Sequence, residues 1–118
     1  VKTMSCKFEL EHIGINQANA DEAAKLAEQL SGMFNLAPKH GNKSEFAGPY
    51  FECMKSPFLG TNGHIAMRTP DLAAAMEELK EKGYSFNMDT AAYNEDGSIK
   101  NVYLAGEFGG FAIHIMQK

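Results

Sequence analysis

Three of the four histidines in this 118-residue chain lie in short apolar segments that are typical of β-strands. Because side chains alternate between the two faces of a strand, His12, His64 and His114 each share a face with a small residue, and apolar side chains take the other face. A lone histidine in this position is more often structural than a ligand. Three in the same setting favour a metal site, since a divalent transition metal needs three or four converging N, O or S donors.

Two charged residues could complete such a site. Glu52 has apolar neighbours on both sides, which predicts either a water-facing edge residue or a buried acid with a partner. Arg68 shares the face of His64 and could bind a carboxylate or phosphate with two parallel hydrogen bonds; the alternative is a surface ion pair with an acid such as Asp71. His40 lies in a polar segment without the strand pattern, and we interpret it as solvated.

The sequence predicts two helices that would support these strands. The first is capped by Asn19 and ends near Gly32, and the second is capped by Thr69, begins at Pro70 and stops at Gly83. The predicted buried stripes are Leu26, Leu30 and Met33 in the first helix, and Leu72, Ala75, Met76 and Leu79 in the second.

Strand-like segments follow each helix, at roughly 46–54 in the first half and at 84–88, 101–105 and 111–116 in the second. Segment 35–48 is polar and contains glycine, so it is predicted to be a mobile loop. Glu95-Asp96-Gly97-Ser98 predicts a turn.

The two halves form a weak internal repeat. The segments that begin at His12 and His64 both run strand, short turn, helix and glycine stop, at an offset of 50 to 52 residues. No linker rich in Pro, Gly or Ser separates them. We therefore expect an α+β fold in one domain, 1–118, made of two βαβββ modules at about 8–58 and 62–118.

Composition excludes several classes of protein. There are 11 basic and 15 acidic residues, for a net charge of −4, and no basic face indicates a nucleic-acid binder. No apolar run reaches the roughly 18 residues that cross a membrane, and no leader opens the chain. The length is too short for an eight-stranded α/β barrel, which needs roughly 200 residues.

Cysteine usage and the first residue indicate the context of the chain. Cys6 and Cys53 form no CxxC motif and indicate reduced thiols in the cytoplasm, with a disulfide between them as the alternative. The start at Val1 without Met predicts a trimmed chain and leaves open an upstream fusion partner.

Together these features resemble the vicinal oxygen chelate superfamily, which includes glyoxalase I, extradiol dioxygenases and fosfomycin-resistance proteins. The segments that carry the resemblance are Glu11-His12-Ile13-Gly14-Ile15, Gly63-His64-Ile65-Ala66-Met67 with Asp71-Leu72 after it, and Gly110-Phe111-Ala112-Ile113-His114-Ile115. The resemblance implies paired βαβββ modules that form a cup-shaped mixed sheet with helices on the outer face, and a homodimer. It does not say whether the site forms within one chain or between two.

The resemblance also implies the composition of the site. The metal ligands would be His12, Glu52, His64 and His114, and the ion would be Ni, Co, Zn, Mn or Fe. Most members carry Glu at the last position, so His114 departs from the pattern and leaves Glu52 as the carboxylate that could also carry a proton. The implied function is that of a metal-dependent lyase or isomerase of a small anionic 2-oxo or hydroxy acid, with Arg68 as the anion anchor.

Segment 99–112 resembles the small chelate domain associated with bacterial ketohydroxyglutarate and ketodeoxyphosphogluconate aldolases. Aldolase chemistry of that kind needs a Schiff-base lysine inside a barrel that 118 residues cannot form. The alternative function is therefore a non-catalytic module that binds a small anion and is attached to, or serves, a 2-oxo sugar-acid aldolase.

Overall fold

The computed structural model describes residues 6–118, so the prediction made from Val1 lies outside the described residues. The elements in chain order are β1 (Glu9–Asn16), α1 (Ala20–Phe34), β2 (Pro38–His40), β3 (Ser44–Ala47), β4 (Phe51–Met54), β5 (Gly63–Thr69), α2 (Leu72–Glu81), β6 (Phe86–Tyr93), β7 (Ile99–Leu104) and β8 (Phe111–Gln117). This order confirms the predicted α+β class with βαβββ twice. Within the described residues, neither helix is long and apolar enough to span a membrane.

The eight strands form one mixed sheet in the order β2-β3-β4-β1-β5-β8-β7-β6. The first strands of the two halves, β1 and β5, pair antiparallel at its centre. Each of them also pairs in parallel with the last strand of its own half, β1 with β4 and β5 with β8. The two halves therefore extend outward from the centre with the same internal order.

Both helices pack on one face of this cup-shaped sheet. Helix α2 places Leu72 and Met76 against Val102 and Ile115, while α1 buries two alanines against Cys53. Side chains alternate along a strand, so the residues next to Val102, Ile115 and Cys53 lie on the opposite, concave face. No disulfide joins Cys6 and Cys53 within the described residues.

Helix α1 begins as predicted but ends later. Asn19 accepts a hydrogen bond from the backbone N–H of Glu22, and the helix runs past Gly32 to a left-handed Asn35. Met33 was expected in the buried stripe, and this is wrong: the last turn extends past the contact with Cys53 and leaves Met33 exposed.

Helix α2 begins later than predicted. Asp71 is the N-cap and accepts from the N–H of Ala74, so the expected cap at Thr69 is wrong. Thr69 instead belongs to β5, where its carbonyl accepts from the N–H of Lys118. The predicted stop at Gly83 is correct, since its φ of 99° is left-handed.

Segment 35–48 was expected to be a loop, but it contains β2 and β3. These strands are short, and β2 is fully exposed, so the apolar alternation that marks a strand is missing. Pairing with β4 through residues such as Phe46 and Glu52 holds β3 in the sheet instead. The predicted turn at 95–98 is present between β6 and β7.

Close approach of two strands explains one glycine in the centre of the sheet. Gly14 in β1 lies directly opposite His64 in β5. A Cβ added to Gly14 would occupy the position of the His64 ring. The buried ring can therefore lie across β1 only because residue 14 has no side chain.

We expect Gly14→Ala to displace the His64 ring and to lower the free energy of unfolding by about 1–3 kcal/mol, as overpacking does. The matched control is Gly32→Ala in α1, where an added Cβ meets no atom within 4 Å and should stabilise the helix by up to about 1 kcal/mol. Urea unfolding of both variants measures the difference. Equal effects would contradict the close-approach argument.

Candidate metal centre

The sheet brings four predicted ligands onto its concave face within a single chain. His12 lies on β1, Glu52 on β4, His64 on β5 and His114 on β8, and these are the four adjacent strands at the centre of the sheet. The small residues expected beside the histidines are their cross-strand neighbours. Ala66, for example, pairs with His12 on one side and with His114 on the other.

The side-chain donor atoms converge closely. Nε2 of His12 is 3.2 Å from Nε2 of His64. Oε1 of Glu52 is 3.3 Å from Nε2 of His12 and 3.0 Å from Nε2 of His64. One ring nitrogen from each of His12, His64 and His114 lies within 4.8 Å of the other two.

These distances fit a metal ion. Bonds of about 2.0–2.3 Å at tetrahedral or octahedral angles require adjacent donor atoms about 2.8–3.8 Å apart. The atoms of His12, His64 and Glu52 are already at that separation. Three imidazoles and one carboxylate suit Zn, Ni, Co, Mn and Fe, so the residues are chemically appropriate for the group that the resemblance implies.

Glu52 is held as a carboxylate. The buried Ser44 hydroxyl donates to its Oε2 at 2.7 Å, and His12 and His64 contact its Oε1. Burial raises the pKa of Glu52, but hydrogen bonds from His12, His64 and Ser44 outweigh burial and hold that pKa well below its usual range. Of the two predictions for Glu52, the structure matches the buried acid with partners.

His114 is oriented by a neighbouring amide. Its Nδ1 lies 2.6 Å from Oδ1 of Asn101. Because an amide oxygen can only accept, Nδ1–H is the donor in this orientation. The lone pair of Nε2 is then available to bind a metal ion. Tyr103 stacks on the ring with centroids 4.7 Å apart. Burial, together with the nearby His64 and His12, lowers the pKa of His114 to about 3, so the ring is neutral at pH 7.

A cavity of about 630 Å³ opens above the four side chains. This volume is in the range of small-molecule sites. Lys43 and Lys55 line it beside the first half of the sheet, and Phe58 and Tyr103 also line it, with ring centroids 6.3 Å apart. The cavity can therefore admit a small molecule directly over the candidate ligands.

The remaining two candidates lie elsewhere. Arg68 is on the predicted face, but its guanidinium contacts Glu9 and Glu11 at 2.8 Å and does not line the cavity. The surface ion pair is therefore what the structure contains, with these acids in place of Asp71. His40 is exposed on β2 and contacts Glu45, 2.8 Å away.

Sequence reasoning missed the residues that support the ligands. Ser44 lies in the segment interpreted as a loop, and Asn101 and Tyr103 were assigned only to a strand. One signal was available, because Asn101 and Tyr103 alternate with the buried Val102 and therefore lie on the opposite face of β7. This is the face of His114, and Tyr103 is the direct cross-strand neighbour of His114.

The metal-free fold should lose stability on acidification. In the unfolded chain His114 binds a proton with its ordinary pKa of 6.5, whereas in the folded chain its pKa is about 3. The free energy of unfolding therefore rises with pH between these two values. Glu52 adds to this trend below its ordinary pKa of 4.5, because its folded pKa is also lowered. Urea unfolding with a chelator between about pH 7 and pH 4 should give a slope of up to about 1.4 kcal/mol per pH unit from His114.

His114→Gln removes this titration and should flatten the slope. An equally steep decline in His114→Gln would contradict the assignment.

No protein-family model and no curated protein sequence matches this chain. Several solved structures share its fold. A hypothetical protein from Bacillus halodurans superposes with a TM-score of 0.61 at 18% identity, over 94% of each chain. Methylmalonyl-CoA epimerase from Mycobacterium tuberculosis gives a TM-score of 0.59 at 19% identity, over 92% of this chain and 86% of its own.

A variant of Streptomyces coelicolor methylmalonyl-CoA epimerase in complex with 2-nitronate-propionyl-CoA gives a TM-score of 0.58 at 16% identity, over 92% of this chain and 96% of its own. The similarity covers nearly the whole of each chain, which confirms the predicted fold. At these identities it establishes the fold alone, and the likeness to the aldolase-associated domain stays a prediction.

Proposed function

We propose that this chain is a metal-dependent isomerase or lyase that acts on a small anionic 2-oxo or hydroxy acid. The observation that carries the proposal is the separation of the donor atoms of His12, His64 and Glu52, 3.0–3.3 Å, at the floor of a cavity of metabolite size. His12, Glu52, His64 and His114 are the proposed ligands. The expected homodimer is not needed to bring them together.

A divalent ion bound by these residues would supply Lewis-acid chemistry, polarising two neighbouring oxygens of the substrate. The protein contributes position and protonation state. Asn101 fixes the ring of His114, and Ser44 fixes the Glu52 carboxylate. The neutral His114 and the ionised Glu52 are the forms that can bind a cation at pH 7.

Glu52 is the proposed proton carrier, because it is the acidic residue that lines the cavity. An ionised carboxylate within reach of the substrate can remove a proton from a carbon next to a carbonyl and return it. The fold is shared with methylmalonyl-CoA epimerases. Removal and return of a proton can invert a carbon next to a carbonyl, and this reaction is consistent with the proposal. Acyl thioesters are therefore a second substrate class to test.

The second candidate function is a non-catalytic anion-binding or accessory module, for example one that serves a 2-oxo sugar-acid aldolase. One observation favours it. The low pKa of Glu52 makes this carboxylate a weak base, whereas efficient general bases have a pKa near the working pH. Both functions require the same cavity, so only turnover separates them.

Metal content tests the first part of the proposal. We expect protein purified without chelators to contain a stoichiometric divalent ion, measured by mass spectrometry. His64→Ala should lose it, because this residue contacts both other members of the closely spaced trio. His40→Ala is the matched control and should retain it. Metal that is substoichiometric, or unaffected by His64→Ala, would contradict the metal site.

Proton exchange in D₂O tests the catalytic part. Proton NMR should show exchange next to the carbonyl of a 2-oxo acid, a 2-hydroxy acid or methylmalonyl-CoA in the presence of metal-loaded protein, above the rate with metal alone. Glu52→Gln should reduce the exchange by about 100-fold or more at equal metal content, since it removes the base.

Ser44→Ala is the control for this substitution, because it removes the hydrogen bond to Oε2 but keeps the carboxylate. It should retain most of the exchange and raise the pKa of Glu52. If wild-type protein loads metal and catalyses no exchange across the panel, the non-catalytic module is the better description.

A further inference from the structure

The cavity over the candidate metal centre is electrically asymmetric. Two of its lining residues, Lys43 and Lys55, carry positive charge, and Glu52 is the acidic residue in the lining. Lys43 directly precedes β3 and Lys55 directly follows β4, so both lie beside the first half of the sheet. Glu52 is hydrogen-bonded to His12, His64 and Ser44 and, among the described residues, forms no ion pair with either lysine.

Backbone hydrogen bonds tie the two lysines into one frame. The N–H of Lys55 donates to the carbonyl of Lys43 at 3.0 Å, and the N–H of Gly41 closes the turn by donating to Ser44 at 2.9 Å. Nζ of Lys55 also donates to the carbonyl of Gly41 at 2.9 Å. An ammonium has three donors, so Lys55 is held in place with two still available.

The same frame fixes the lysines relative to the candidate metal centre. Ser44, next to Lys43, donates to Glu52, and Glu52 is on the strand that ends just before Lys55. The backbone of Lys43, the ammonium of Lys55 and the proposed ligand Glu52 are therefore parts of one hydrogen-bonded unit. Such preorganisation lowers the entropic cost of binding an anion.

Neither cavity lysine has a carboxylate partner among residues 6–118. Some of the other basic residues do: Lys80, Lys82 and Lys118 each contact a glutamate. In a chain of net charge −4, two uncompensated ammonium groups at the edge of a cavity form a local positive field.

The other side of the cavity is aromatic. Tyr103 lies on β7 in the second half of the sheet, and Phe58 contacts it at a centroid distance of 6.3 Å. Rings on that side offer no cationic partner. A charged group of the substrate that is not bound to metal would therefore lie on the β3–β4 side.

We infer that the substrate carries a second anionic group, a carboxylate or a phosphate, at a distance from its metal-binding oxygens, and that Lys43 and Lys55 bind it. This inference rests on the proposed function for the position of the metal-binding oxygens. The substrate class is then a dianionic 2-oxo or 2-hydroxy acid, and the lysines are the specificity-determining residues.

The test compares three 2-hydroxy acids as probes. Lactate has no second anionic group, malate has a second carboxylate, and 3-phosphoglycerate has a phosphate. Calorimetry on metal-loaded protein should show that malate or 3-phosphoglycerate binds about tenfold tighter than lactate, since each partly exposed charge pair contributes a factor of a few. Whichever binds tighter identifies the type of anion.

Lys43→Met and Lys55→Met should each reduce this preference several-fold, and the double variant should abolish it by weakening the binding of malate and 3-phosphoglycerate more than that of lactate. Lys25→Met, on helix α1, is the control. The preference should also decrease with added salt. A preference that survives in the double variant, or that is absent in wild type, would overturn the inference.

Metal content of each variant separates this result from the proposed function. If the protein binds no metal, amide NMR shifts of the metal-free protein provide the comparison: the dianions, and not lactate, should shift residues 41–44 and 55 in wild type alone. Identical shifts with lactate would overturn the lysine assignment in that case as well.

Discussion

The antiparallel pairing of β1 and β5 is the constraint on which the rest of the site depends. It places Gly14 opposite His64 and Ala66 opposite His12. Two imidazoles can meet at 3.2 Å on one face only because each lies across a residue with little or no side chain. The parallel partners β4 and β8 then add Glu52 and His114 on the outer sides of the same pair. Four donors on four adjacent strands need no local motif, since the sheet itself brings them together.

The internal repeat makes this arrangement nearly symmetric. His12 and His64 are equivalent at an offset of 52 residues, and by the same offset Gly14 corresponds to Ala66. Gly14 pairs with Glu52 in the first half and Ala66 pairs with His114 in the second, so the carboxylate and the third imidazole also occupy equivalent positions. Among the four candidate ligands, the two halves therefore differ at one position, which is Glu52 in the first half and His114 in the second. Hydrogen bonds from His12, His64 and Ser44 keep the carboxylate charged, whereas burial keeps the imidazole neutral and Asn101 orients it.

The three candidate histidines could be predicted from sequence because each is marked by strand alternation, whereas only the resemblance implied Glu52 as a ligand. His64 and His114 alternate with apolar residues, of which Met67, Ile113 and Ile115 pack around α2. The partners could not be predicted, because hydrogen bonds such as that from Ser44 to Glu52 arise between strands and leave no local pattern. Segment 35–48 was misinterpreted for the same reason: β2 and β3 are specified by pairing and not by their own apolar periodicity. The start of α2 was misplaced because the β5–β8 ladder extends through Thr69, and the cap passes to Asp71.

Arg68 illustrates why parity alone does not identify a binding residue. It lies on the concave face, as predicted, but it pairs with Glu9 at the far end of β1, where the register shifts between Leu10 and His12. An arginine between two carboxylates has its charge compensated, whereas Lys43 and Lys55 have no acidic partner among the described residues and border the cavity. A charged side chain that already forms ion pairs contributes to the packing of the strands. A charged side chain without an ion pair beside a cavity is available to bind a ligand. By that criterion the proposed specificity residues flank β3 and β4, with Lys43 in the polar turn between β2 and β3 and Lys55 directly after β4, whereas the residues proposed for the chemistry lie on the strands.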